Sequence, residues 1–133
     1  MKRQNIQPKA LHERVVGGHM LYYHVVSVEA QRRIVFVAGQ LARAPDGSVV
    51  GKGDMGAQLE QVGKNVQAAL EAAGLTLDNI VKTNTYTTNI DEFFKHMDVR
   101  AKYFRALPTS TTVEVRRLAH PDLLVEVEVM AME

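Results

Sequence analysis

Cysteine is absent from the 133-residue chain, and so is tryptophan. Without cysteine there are no disulfides, thiolate nucleophiles, iron–sulfur clusters or cysteine-bound zinc. Aromatic residues make up only 6% of the chain. No run of Lys or Arg is interleaved with them, so a base-stacking platform for nucleic acid is not expected. Neither sign of charge is in excess: 16 basic and 15 acidic side chains leave a formal +1, too little field to favour nucleic acid or anionic lipid. No apolar run reaches the roughly 18 residues of a membrane span. None of signal-peptide length follows the basic residues 1–8, so the expected location is the cytoplasm. What remains is ordinary for a globular protein, 46% apolar and 23% charged. Its length suits a single domain over residues 1–133, able to bury about two-thirds of the surface of its unfolded chain.

The clearest local pattern is helical. Met55, Leu59, Val62, Val66, Leu70 and Ala73 recur every three or four residues, as one face of an amphipathic helix does. Asp54 is placed to cap its start and Gly74 to end it in a left-handed turn. A second helix is expected over 90–105, with Phe93, Met97, Ala101 and Phe104 inward and Asn89 as its cap. Strands are expected over 20–28, 34–38 and 80–88. The continuous apolar run 34–38 reads as a strand covered on both faces. Residues 1–18 read as a polar arm that packs late or on a neighbour.

The last quarter alternates apolar and polar residues through Pro108-Thr109-Ser110-Thr111-Thr112-Val113-Glu114-Val115 and again through Val125-Glu126-Val127-Glu128-Val129. With Ala119-His120-Pro121-Asp122 between them, these read as a terminal hairpin. The predicted order is therefore β-β-α-β-α-β-β, an α+β arrangement with two helices on one face of a single mixed sheet. The other face would carry Tyr, Thr, His, Val and Met. Packing such faces together in a homo-oligomer resolves their mixed character.

Glu114, Glu126 and Glu128 are expected on that outer face, and like charges opposite one another in a ladder need a cationic or protic neighbour. Two readings of them stand level. They form a solvated face neutralised by Arg116, or one of them, half-buried beside Ser110, Thr111 and Thr112, orients or activates a water. The five histidines are scattered without metal-site spacing, so no metal is expected. Ser110, His120 and Asp122 supply the residue types of a nucleophilic triad, but no G-x-S-x-G elbow accompanies them.

Taken as a set, these residues resemble the RidA/YjgF family over roughly residues 22–131. The resemblance is carried by Ala38-Gly39-Gln40, Leu70-Glu71-Ala72-Ala73-Gly74, Ile80-Val81-Lys82-Thr83, the Phe-rich second helix, Val113-Glu114-Val115 with Leu118, and Val125-Glu126-Val127-Glu128. It implies a chorismate-mutase-like α+β subunit and a homotrimer whose sheets line a central barrel, with a small-molecule pocket at each subunit interface. It also implies hydrolysis of imines or enamines to oxo compounds and ammonia, with neither cofactor nor metal. Carried over, the family's first-strand Tyr falls on Tyr22 or Tyr23 and its Gly-Gln turn on Gly39 and Gln40. The final-strand carboxylate that holds the attacking water falls on Glu126. The Arg that clamps the substrate carboxylate falls on Ser110, with Thr111 beside it. A hydroxyl offers one neutral donor in place of a planar, charged fork, so the usual activity on 2-imino acids is expected to be weak. The alternative the same residues allow is a non-catalytic module that binds or senses a small metabolite.

Overall fold

The computed structural model describes all 133 residues. Its chain order is β1 (Lys2–Ile6), β2 (Val15–Val16), β3 (His19–Met20), β4 (Val25–Glu29), β5 (Ile34–Leu41), α1 (Met55–Ala72), β6 (Ile80–Thr87), α2 (Ile90–Phe93), α3 (Met97–Tyr103), β7 (Thr109–Glu114) and β8 (Val125–Met132). The main sheet has four strands in the order β5-β8-β6-β7 and is mixed, since β6 and β7 run parallel while β8 is antiparallel to both β5 and β6. This is the α+β fold expected, with its helical layer on one face. No helix is long and apolar enough to cross a membrane.

The first helix forms as its pattern requires. Met55, Leu59, Val62, Val66 and Leu70 are all buried, and each fully buried aliphatic side chain contributes about 1.5–3 kcal/mol. The Asp54 carboxylate accepts the Ala57 N–H at 3.0 Å, and Gly74 takes the left-handed conformation, φ +76°. Gln58, fully buried on the same helix, donates to the carbonyls of Asp122 (2.7 Å) and Gly51 (3.2 Å) and accepts the Leu124 N–H (2.8 Å). One side chain thus ties α1 to the loop before β8.

Several expectations need correction. Residues 109–114 and 125–132 do not form a hairpin. The chain passes over β6, which lies between them, because β6, the helical segment and β7 make a parallel crossover unit. Glu114 consequently shares the helix-side face with Thr87, its partner in register, and accepts the Ile90 N–H at 3.1 Å. It belongs to the start of α2 and not to the face of Glu126 and Glu128. The second helix is broken: α2 and α3 are separated by a turn of 3-10 helix at Phe94–His96. Its cap is as expected, with Asn89 accepting the Glu92 N–H at 3.0 Å.

The N-terminal arm packs on its own chain. β1 pairs with β4 outside the main sheet, and Arg3 donates to the carbonyls of Asp78, Ile80 and Ala106. The first expected strand begins only at Val25, leaving Tyr22, Tyr23 and His24 in irregular backbone. Within a single chain the run 34–38 is covered on one face, for Phe36 is 72% exposed. Ile34 and Phe36 stand on the face away from the helices, paired in register with Met132 and Met130.

Candidate functional site

Alternation along β8 divides its side chains cleanly. Val125, Val127, Val129 and Ala131 are buried in the core, while Glu126, Glu128 and Met130 point to the uncovered face. Across the ladder Glu126 stands opposite Tyr86 and Glu128 opposite Asn84. The protic neighbours anticipated for these carboxylates are there, and they serve one of the two. Asn84 and the Tyr86 hydroxyl both donate to Glu128 Oε1, at 3.0 and 2.9 Å. They hold the Glu128 carboxyl below its ordinary value, and the bond in turn raises the Tyr86 phenol.

Glu126 receives no such bond. Burial, then the nearby Glu128 charge, raises its carboxyl above the ordinary value. Its head lies against Gly39. A Cβ built on that glycine would fall 2.8 Å from Glu126 Cδ and 3.0 Å from Cγ, with Oε1 closer still. Glycine at position 39 is what lets the carboxylate lie over the β5 backbone. The register of β5 on β8 shifts between Val37 and Gln40 at this place, and Gln40 folds back to donate to the Ala38 carbonyl at 3.0 Å. Gly39, Gln40 and Glu126 therefore form one cluster, in which an unpartnered, half-buried carboxylate can accept a proton or hold a water.

Tyr22, Tyr23, Ser110 and Thr111 form a second. With His24 and Lys82 they line a cavity of about 390 Å³ at the β7 edge, and both tyrosines contribute to its wall. His24 is held by the His12 carbonyl at 2.7 Å and packs edge-on to Tyr22. Ser110 pairs in register with Thr83, a buried helix-side residue. It thus projects from the opposite face of the sheet to Glu126. Thr111 pairs with Asn84 and so shares the face of Glu126. Within one chain the seven expected site residues make two half-sites, one on β5 and β8 and one at the β7 edge, with β6 between them.

The triad residues separate as well. His120 and Asp122 face each other in the loop before β8, where Lys52 approaches Asp122 at 3.6 Å, and neither lines a cavity with Ser110.

Ser110 also borders a smaller cavity, about 170 Å³, with Thr112, Tyr22, Phe94, Arg14 and Arg100. Sequence reasoning missed Arg100, although the signal was present. Positions 93, 97, 100 and 104 share a helix face, and Arg100 occupies the place on that stripe where an apolar residue belongs. It is only 4% exposed, and burial pushes its guanidinium down to about 10, leaving it charged at neutral pH.

Three kinds of comparison agree on kinship. The sequence profile of the family described as Endoribonuclease L-PSP matches residues 19–133. A RutC family protein of Pyrococcus horikoshii is 39% identical over 98 residues, spanning 73% of this chain and 77% of its own. Among solved structures, a Rid family protein from Yersinia pestis, described as of unknown function, superposes with a TM-score of 0.85 over the whole of both chains at 29% identity. Escherichia coli TdcF, solved with bound serine, gives a TM-score of 0.68 at 27% identity, covering 92% of this chain and 96% of its own.

Proposed function

The chain belongs to the RidA/YjgF (L-PSP) family, and on that premise we propose that it is a homotrimer with small-molecule pockets between copies, hydrolysing a small imine- or enamine-like metabolite. The observation that carries this reading is the division of the site. The Gly39–Gln40–Glu126 cluster sits on β5 and β8 and the Tyr22–Tyr23–Ser110–Thr111 cavity at the β7 edge, with β6 between them, so in this reading a second copy brings one against the other. The bare apolar face around Phe36 gives that copy something to cover.

In this reading Glu126 holds a water for attack on the C=N carbon. The raised carboxyl takes the water's proton, and the tetrahedral carbinolamine collapses to a carbonyl as ammonia leaves with the proton returned. Tyr22 and Tyr23 wall the ligand, while Ser110, Thr111 and the backbone at Gly39 hydrogen-bond it. No cofactor or metal enters these steps. That TdcF was solved with serine supports a ligand of similar size.

Ser110 stands where the family resemblance places a carboxylate-clamping Arg. Charged hydrogen bonds contribute about 1.5–3 kcal/mol against about 1 for neutral ones, so turnover of ordinary 2-imino acids is expected to be at least about tenfold weaker. That same residue favours a second reading, in which the pocket captures or senses its ligand without turnover.

The test is ammonia release from freshly generated imines and enamines, run beside sedimentation equilibrium. Release that disappears in Glu126→Gln supports hydrolysis. Ligand binding with no ammonia supports capture, and a lone chain at working concentration removes both readings.

A further inference from the structure

The smaller cavity beside Ser110 is lined by two guanidinium groups and by no carboxylate. Arg100 enters it from α3 and Arg14 from the segment before β2. Neither has an acidic side chain within ion-pair distance, although the chain's other surface cations often do, as Lys102 with Glu60 and Arg105 with Asp78. Arg100 makes one hydrogen bond, from Nη1 to the Leu21 carbonyl at 2.6 Å. That leaves most of its five N–H groups to seek an acceptor. A charge this deeply buried without a counter-ion is costly unless something anionic completes the site.

Both groups are also held in place. The Arg14 guanidinium carbon sits 4.8 Å above the Phe94 ring, and that of Arg100 lies 5.8 Å from the Phe104 ring. Aromatic faces orient the planar fork without using its donors. Around them stand Ser110, Thr112 and Tyr22, each with a hydroxyl able to donate. The space, about 170 Å³, suits a head group and not a whole metabolite. It opens beside the larger cavity, with which it shares Tyr22 and Ser110.

We propose that Arg14 and Arg100, with the hydroxyls of Ser110 and Thr112, bind the dianionic oxyanion head, of phosphate type, of the ligand whose body occupies the neighbouring cavity. Two fixed positive charges and several neutral donors match a doubly charged tetrahedral group better than a single carboxylate. The missing arginine of β7 is then replaced by cations from another element, which select a different charge. The assignment uses the pocket of the proposed function but not its chemistry, and holds whether or not the ligand is turned over.

The full-length protein is titrated in low-salt buffer with inorganic phosphate and, separately, with pyruvate. The Arg Nε–Hε resonances are followed by NMR and the heat by calorimetry. Saturable binding of phosphate, tighter than that of pyruvate and moving the Arg100 resonance, is expected. Arg14→Ala, at an exposed position that should not disturb folding, weakens it about tenfold or more, the worth of one charged contact. Arg100→Lys, which keeps the charge but loses the planar fork, is the second variant, and Ser110→Ala replaces it if it does not fold. Pyruvate binding as tightly as phosphate overturns the dianion assignment. No saturable binding of either, or affinities unchanged in Arg14→Ala, overturns the site. Glu126→Gln should bind phosphate as the parent does, so loss of ammonia release in that variant reports on hydrolysis alone. Ammonia release that persists in a protein blind to phosphate would retire this proposal and leave the proposed function standing.

Discussion

Replacing Gly39 by alanine should separate the candidate site from the fold. The three atoms nearest the added methyl all belong to the Glu126 side chain, with Cδ at 2.8 Å and Oε1 closer, and Gly39 does not occupy the left-handed region. The backbone therefore accepts alanine, and the strain falls on a flexible side-chain end. Pushing a Glu126 torsion about 30° off its rotamer costs about 0.5–1.5 kcal/mol. The loss of unfolded-state freedom on Gly→Ala returns about 0.4–1 kcal/mol, so net stability should change by less than about 1 kcal/mol. The carboxylate, however, must retreat by about 1 Å or more, a displacement that costs on the order of 100-fold in a rate that depends on its position. Moved toward water, it also loses the burial that raises it, so its titration should fall toward the ordinary glutamate range. Carboxyl-carbon NMR across pH 3–8 reads that titration, urea midpoints read the stability, and ammonia release reads the rate. A Glu126 titration identical in parent and Gly39→Ala would refute the reasoning, as would a fall in stability of several kcal/mol.

The other predictions use different parts of the molecule. Glu128 is held below its ordinary value by Asn84 and Tyr86, so its stabilisation is present above the normal carboxylate range and is lost as pH falls through its folded value. Glu126 is raised, and its contribution has the opposite sign, full below the normal range and lost as pH rises through its folded value. Denaturant midpoints should therefore show Glu128→Gln less stable than the parent at pH 7, with the gap closing below about pH 4, and Glu126→Gln at least as stable as the parent at pH 7. Gln58→Ala leaves two part-buried backbone groups without a partner, the Asp122 carbonyl and the Leu124 N–H, while the Gly51 carbonyl keeps the Asp54 N–H at 2.9 Å. At about 1–3 kcal/mol each it should cost about 2 kcal/mol or more in urea denaturation. Phe36→Arg places a charge on the bare sheet face and should reduce the proposed homotrimer to single chains in sedimentation equilibrium without lowering its helix content.

How far the sequence could be read depended on whether a feature was local. The cap at Asp54, the stripe from Met55 to Leu70 and the stop at Gly74 each act within a few residues, and all are found where the pattern placed them. Pairing of β7 with β8 was assumed because they follow one another. The better guide was strand–helix–strand: β6, the Phe-rich helix and β7 had the order of a parallel crossover, which assigns the neighbour of β7 without reference to the last strand. β1 had no apolar alternation to reveal it, since much of its anchoring comes from one arginine donating to three carbonyls. At the site, Gly39 came from family likeness and Glu126 from strand alternation as well, and the two lie in contact. Arg100 was hidden by the habit of assigning charged residues to the wet side of a helix, when its spacing from Phe93 and Met97 put it on the dry side. Arg14 sits in a polar stretch with no period, and only the folded chain brings it to Phe94.

The position of β8 bears on how the protein is made. It fills the slot between β5 and β6, yet it is translated after both, and after the helices that cover them. Until it emerges from the ribosome, two strands that will share a partner wait with their hydrogen-bonding groups unmatched. Ribosomal pausing before codon 125 would prolong that interval. A chain held there offers a gap the width of one strand, which the β8 of a finished neighbour can occupy as well as its own.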